Sequence, residues 1–169
     1  MLKKLALTAV VLACLGVNAF AQSSNQTATL TVLINNAISL TLTDVNPTLT
    51  FDDAGDFTSG VTYSAAPAGN VTATRAYDVS VTASAADLSD GSGNTIPVSS
   101  INVEATGAGL GTLSNADLST TAQTIINNAP AAVAQNFGLT YSTAPNDPNF
   151  VNKPSGSYTV TLTYTATLD

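Results

Sequence analysis

The sequence predicts an all-β protein: an antiparallel two-sheet sandwich of about eight strands. Three observations predict it. From residue 158 to 168 the chain alternates Tyr158, Val160, Leu162, Tyr164, Ala166 and Leu168 with Thr159, Thr161, Thr163, Thr165 and Thr167, the period of a strand with one buried face. Threonine occurs 25 times after residue 21, and its branched Cβ suits the pleat while its hydroxyl meets water. Short apolar runs are separated by clusters of Asp, Asn, Gly, Pro and Ser, with no sustained helical period.

Taken in order, residues 1–21 read as a secretory signal: Lys3 and Lys4, an apolar run over 5–17, and Ala19-Phe20-Ala21 as a small-x-small site cleaved between Ala21 and Gln22. A competing reading, with processing at Val11-Leu12-Ala13 and acylation of Cys14, is opposed by Leu12 and by the stronger site at Ala21. Residues 22–169 then form a single domain, with 22–35 as a possible donor segment or extension. Residues 22–26 are polar. Residues 27–34 place Ala28, Leu30, Val32 and Ile34 on one side and Thr27, Thr29 and Thr31 on the other. Beyond Asn35-Asn36 the alternation resumes as Ile38, Leu40 and Leu42, so the two runs read either as a tight hairpin or as one bent strand.

Further strands are expected at 48–51, at 71–83 with Tyr77, Val79 and Val81 inward, and at 101–105, 121–126 and 137–141. Turns are expected at 52–56, 67–70, 89–94 and 145–149, and a short helix at 116–122. About eight short strands with polar punctuation suit an immunoglobulin-like arrangement.

Composition narrows the function. After residue 21 the chain has no His, Cys, Met or Trp, which removes imidazole and thiolate metal sites and Ser-His or Cys-His catalysis. Arg75 and Lys153 face eleven acidic residues, a net charge of −9, so there is no basic patch for nucleic acid. No later run reaches the ~20 apolar residues of a membrane-spanning helix. Glu104 is the only Glu, and paired carboxylates without aromatic platforms make a poor glycosidase. The reading is a non-enzyme without cofactors. Asp52, Asp53 and Asp56 around Gly55 are candidate Ca²⁺ ligands, and Asp87, Asp90 and Asn94 a second set. Neither has the closing Glu of the twelve-residue calcium loop, and acidic turns also serve solubility. Tyr63 and Tyr141 are candidate sugar contacts.

The closing stretch PSGSYTVTLTYTATLD, in which Gly156, Ser157 and Tyr158 open the alternating run, resembles the last strand of bacterial fimbrial and spore-coat-type surface proteins. The stretch NVTATRAYDVSVTASAADLSDGSGNTIPVSSINV, residues 70–103, is similar to mid-domain segments of secreted immunoglobulin-like bacterial surface proteins. Many chaperone-assembled pilins carry an early disulfide, which this chain lacks after residue 21. The resemblance implies a secreted, cell-surface structural protein, a fimbria- or pilus-like subunit that self-associates by donating a strand to its neighbour. Ala28, Leu30, Val32 and Ile34 are the candidate assembly strand, and Tyr158, Val160, Leu162, Tyr164 and Leu168 belong to the final strand. The alternative is a monomeric adhesin or glycan-binding module. In a third arrangement residues 27–34 are the first strand of their own domain.

Overall fold

The computed structural model describes residues 24–169; the expected signal, with Ala21 and Gln22, lies outside the described residues. The chain divides between Leu33 and Ile34 into two units. The N-terminal unit, described from Ser24, has neither strand nor helix, and its side chains are exposed.

The second unit holds eleven strands and one α-helix: β1 (Ile38–Leu42), α1 (Ala54–Ser59), β2 (Thr62–Ala73), β3 (Tyr77–Ala83), β4 (Asp87–Ser89), β5 (Thr95–Pro97), β6 (Ile101–Thr106), β7 (Thr112–Leu113), β8 (Asn115–Asp117), β9 (Gln123–Ala129), β10 (Ala132–Thr143) and β11 (Leu162–Leu168). One antiparallel sheet has the order β1-β2-β10-β6-β8 and the other β11-β3-β9-β7, while β4 and β5 form a small hairpin. Inward residues of both sheets share one core, including Val71, Tyr77, Val79, Val81, Val103, Ile126, Phe137 and Leu139.

The alternation expected at the C-terminal end is realised in β11 and its partner. Leu162, Tyr164, Ala166 and Leu168 pair with Ala83, Val81, Val79 and Tyr77 of β3, so both apolar rows face the core. The strand is shorter than expected, because Tyr158 and Val160 precede it and only Thr159 bridges to Ser89.

Several expectations are corrected. Residues 27–34 form no strand. Closing a two-residue turn at Asn35-Asn36 would set Ile34 opposite Ala37, and hence Val32 opposite Ser39 and Leu30 opposite Thr41, turning the apolar row to the outer face; a one-residue change of register has that cost. Residues 48–51 form no strand; Leu49 packs on the core, and Phe51 lies 4.9 Å from Phe57 and 4.8 Å from Phe150, centroid to centroid. The strand expected over 71–83 is two strands in different sheets. Thr74 N donates to Ala37 O on one sheet, Asp169 N donates to Ala76 O on the other, and the chain crosses between.

The turn expected at 67–70 lies inside β2, with Ala68 and Gly69 buried. Gly69 is there for close approach rather than for a turn: a Cβ on it would lie 2.4 Å from Phe137 Cζ. The helix expected at 116–122 begins instead as β8, because Asn102, Val103 and Glu104 of β6 offer it a ladder, and local propensity yields to that pairing.

Candidate functional site: the open side of the two sheets

β1 and β11 are edge strands of different sheets and run close to one another. Their bonds to their inner neighbours use odd-numbered residues. Thr74 N donates to Ala37 O and Thr43 N to Ala68 O beside β1, while Ser84 N donates to Thr161 O and Asp169 N to Ala76 O beside β11. Antiparallel ladders alternate, so the N–H and C=O groups of Ile38, Leu40 and Leu42, and of Leu162, Tyr164, Ala166 and Leu168, point to the free edges. These same residues carry the inward apolar side chains, and all seven are only half-buried against the core. At the opposite edges, the segments bearing β7 and β8 place Leu110 and Leu118 fully in the core. One side of the paired sheets is thus closed by apolar side chains, and the other presents two half-covered apolar rows whose outer backbone groups have no partner among the described residues.

Tyrosines mark one end of the open side. The hydroxyls of Tyr141 and Tyr164 are hydrogen-bonded to each other, and Tyr63 Oη donates to Asp44 Oδ2 at 2.7 Å. The Tyr63 and Tyr141 rings are 6.4 Å apart. Burial pushes the Tyr164 hydroxyl far above the ordinary tyrosine value, with the neighbouring Tyr141 adding to it. Burial raises Tyr141 as well, against the opposing effect of its bond to Tyr164. For Tyr63 the bond to the Asp44 carboxylate is the main cause of an upward shift, with partial burial adding to it. Tyr141 is 4% exposed, so it offers no sugar platform, and Tyr63 is half-buried and engaged with Asp44.

The carboxylates of Asp53 and Asp56 serve the start of α1. Gly55 N and Asp56 N donate to Asp53 Oδ1 at 2.6 and 3.2 Å, and Asp52 N and Asp53 N donate to Asp56 Oδ2 at 2.6 and 3.1 Å. This is a reciprocal capping box, in which each carboxylate satisfies amides the helix start leaves unpaired. Asp53→Ala is expected to cost about 0.5–2 kcal/mol of stability, read as a lower urea midpoint with no change when millimolar Ca²⁺ is added. Asp90 Oδ1 likewise accepts from Ser92 N at 2.8 Å and Asn94 N at 3.0 Å, and Asp90 Oδ2 from Asn94 Nδ2 at 2.6 Å. The Asn94 amide and these backbone donors hold the Asp90 carboxyl below its ordinary value; Asp87 lies at the start of β4. Among the described residues no three His, Cys, Asp or Glu side chains gather to hold a metal ion.

The rows on β1 and β11 are far apart in the sequence, and only the close approach of the two strands in the fold shows that they border one side. A polar cleft of about 430 Å³ was not legible at all: Ser100, Asn102, Asp117, Asp147 and Asn149 line it from separate segments. Its side chains are partly bonded to each other, Asn102 Nδ2 to Asp117 Oδ1 at 3.0 Å and Asn149 Nδ2 to Ser100 Oγ at 2.9 Å. Ala28, Leu30, Val32 and Ile34 are all exposed, Leu30 by 88% and Ile34 by 80%. Among the described residues no helix is long and apolar enough to cross a membrane. No protein-family model matches the chain, and no curated protein matches it either.

Proposed function

We propose that the protein is a secreted, non-enzymatic structural protein of a bacterial surface, an immunoglobulin-like fimbria- or pilus-like subunit that assembles by β-strand complementation. The observation that carries this reading is a matched pair of deficits. The β1 and β11 rows are half-covered and their outer backbone groups have no partner among the described residues, while a strand-like apolar row at 28, 30, 32 and 34 is exposed. An extended segment laid along such an edge supplies ladder hydrogen bonds and alternate side chains together. Burying the four side chains contributes roughly 5–9 kcal/mol before ordering costs, enough to hold subunits without a covalent link.

The test is Leu30→Asp. The variant is expected to keep the far-UV spectrum of the parent and to run as a monomer in size-exclusion chromatography with a cooperative melt at a lower temperature, because it loses the stabilisation that a bound neighbour gives the folded state, whereas the parent forms multimers visible as filaments by electron microscopy. An unfolded variant, or one that assembles like the parent, overturns the reading. The polar cleft favours one alternative, a monomeric glycan-binding module, since amides, carboxylates and hydroxyls are the groups that bond sugar hydroxyls. Glycan-array binding by a monomer that never assembles, lost on Asn102→Ala, would establish it.

A further inference from the structure

We infer that the outer face of the five-stranded sheet is a binding track for an uncharged linear polysaccharide, laid along β6 and β10. Assembly through strand edges leaves this face open, so the inference stands beside the assembly reading and does not rest on it.

Two hollows carry it, and they lie on the same pair of strands. The polar cleft takes Asn102 from β6 and Ser142 from β10; a second hollow, of about 320 Å³, takes Thr106 from β6 and Gly138 from β10. Asn102 pairs with Ser142 and Thr106 with Gly138, so the hollows are four residues apart on both strands, about 13–14 Å at the rise of a strand. Both open on the face opposite the buried Val103, Ala105, Leu139 and Tyr141. Between them Glu104, Thr140 and Ser64 stand side by side across three strands, with the Thr140 and Ser64 hydroxyls 3.0 Å apart.

The two hollows differ in chemistry. In the cleft Asn102 Nδ2 is bonded to Asp117 Oδ1 and Asn149 Nδ2 to Ser100 Oγ. Asn102 Oδ1, Asp117 Oδ2 and Asn149 Oδ1 have no partner among the described residues, and they are acceptors for hydroxyl groups. The second hollow is walled by Ala66 and Pro67 and stays open because residue 138 is glycine. A Cβ there would lie 2.4 Å from Thr106 Oγ1 and 3.4 Å from the Ala66 Cβ. A sugar ring has a rim of hydroxyls and a face of C–H groups, so a chain of such rings meets both environments in turn. The separation exceeds one ring and calls for several in line. Charge excludes polyanions: Glu104, Asp117 and Asp147 border the track, while neither Arg75 nor Lys153 lines a hollow.

The test mixes the exported protein with insoluble cellulose, chitin, β-1,3-glucan and mannan, then measures by calorimetry the hexasaccharide and disaccharide of whichever is retained. The hexasaccharide is expected to bind at least tenfold more tightly than the disaccharide. Asn102→Ala and Ala66→Arg, one at each hollow, are each expected to weaken it about tenfold, and Thr140→Arg, midway, to abolish binding. Retention on none of the four polysaccharides overturns the inference, as does equally tight binding of polygalacturonate. Loss on Asn102→Ala with no effect of Ala66→Arg or Thr140→Arg also overturns it, leaving a site confined to the cleft. Ala66 and Thr140 lie on different strands, so the outcome stays decisive should one variant fail to fold. Filaments of all three variants, viewed by electron microscopy, are expected to match the parent's, which separates failure of binding from failure of assembly.

Discussion

Phe137→Ala is expected to lower the unfolding free energy by about 3–5 kcal/mol. Phe137 is 1% exposed and pairs with Gly69 of β2, where its ring occupies the space a side chain would fill; a Cβ on Gly69 would lie 2.4 Å from Cζ and 2.7 Å from Cε1. Removing the ring therefore leaves a hole whose floor is backbone, with no neighbouring side chain at Gly69 to collapse into it. A void of that kind loses both the transfer free energy and the contacts of its lining. Because domains of this size are stable by only about 5–15 kcal/mol, the variant should sit near the threshold of folding. Urea titration is the measurement: a large fall in midpoint at unchanged slope is expected, and a loss under about 1 kcal/mol would refute the assignment of Phe137 as the packing anchor of β2 on β10.

Alkaline pH is expected to produce the other large effect. The hydroxyls of Tyr164, Tyr141 and Tyr77 are all raised, with burial as the first cause of each. A group whose folded value lies above its unfolded one stabilises the fold fully below the unfolded value, about 10 for tyrosine. Above it the unfolded chain releases protons that the folded chain retains, so stability falls as pH rises. Stability should thus be level from about pH 7 to 9 and drop above about 10. Tyr164→Phe removes the most perturbed hydroxyl and should make the drop shallower, although it also breaks the bond to Tyr141 and lowers stability at neutral pH. Equilibrium unfolding at stepped pH reads both effects. A parent whose midpoint stays level through pH 11 would contradict the burial of these hydroxyls.

Legibility varied with how many faces a segment has to satisfy. β3 and β11 pair with each other along the length of β11, with one row buried in β3 and one half-buried in β11, so period-two alternation described them well. Residues 67–70 misled because Pro67, Gly69 and Asn70 carry turn signals, yet Gly69 answers to the Phe137 ring across the sheet. The acidic stretch 52–56 contains a helix start, and its capping box was present in the spacing of Asp53 and Asp56, a pattern that competes with a metal-loop reading of the same residues. Val71 and Tyr77 both belong to alternating runs, but only the bonds of Thr74 to Ala37 and of Asp169 to Ala76 show the chain leaving one sheet for the other between them.

By itself the sequence determined that this is a β-rich chain with alternating apolar and threonine rows at both ends, poor in catalytic and metal-binding side chains. Those are properties of residue type and period, which local chemistry dictates. Only the tertiary structure decided that β1 and β11 are edges on the same side of the paired sheets, that their inward rows stay half-covered, and that residues 28–34 form no strand. Alternation records that a segment has one apolar face; which surface that face meets depends on strand order and register, set by pairings between residues far apart in the chain.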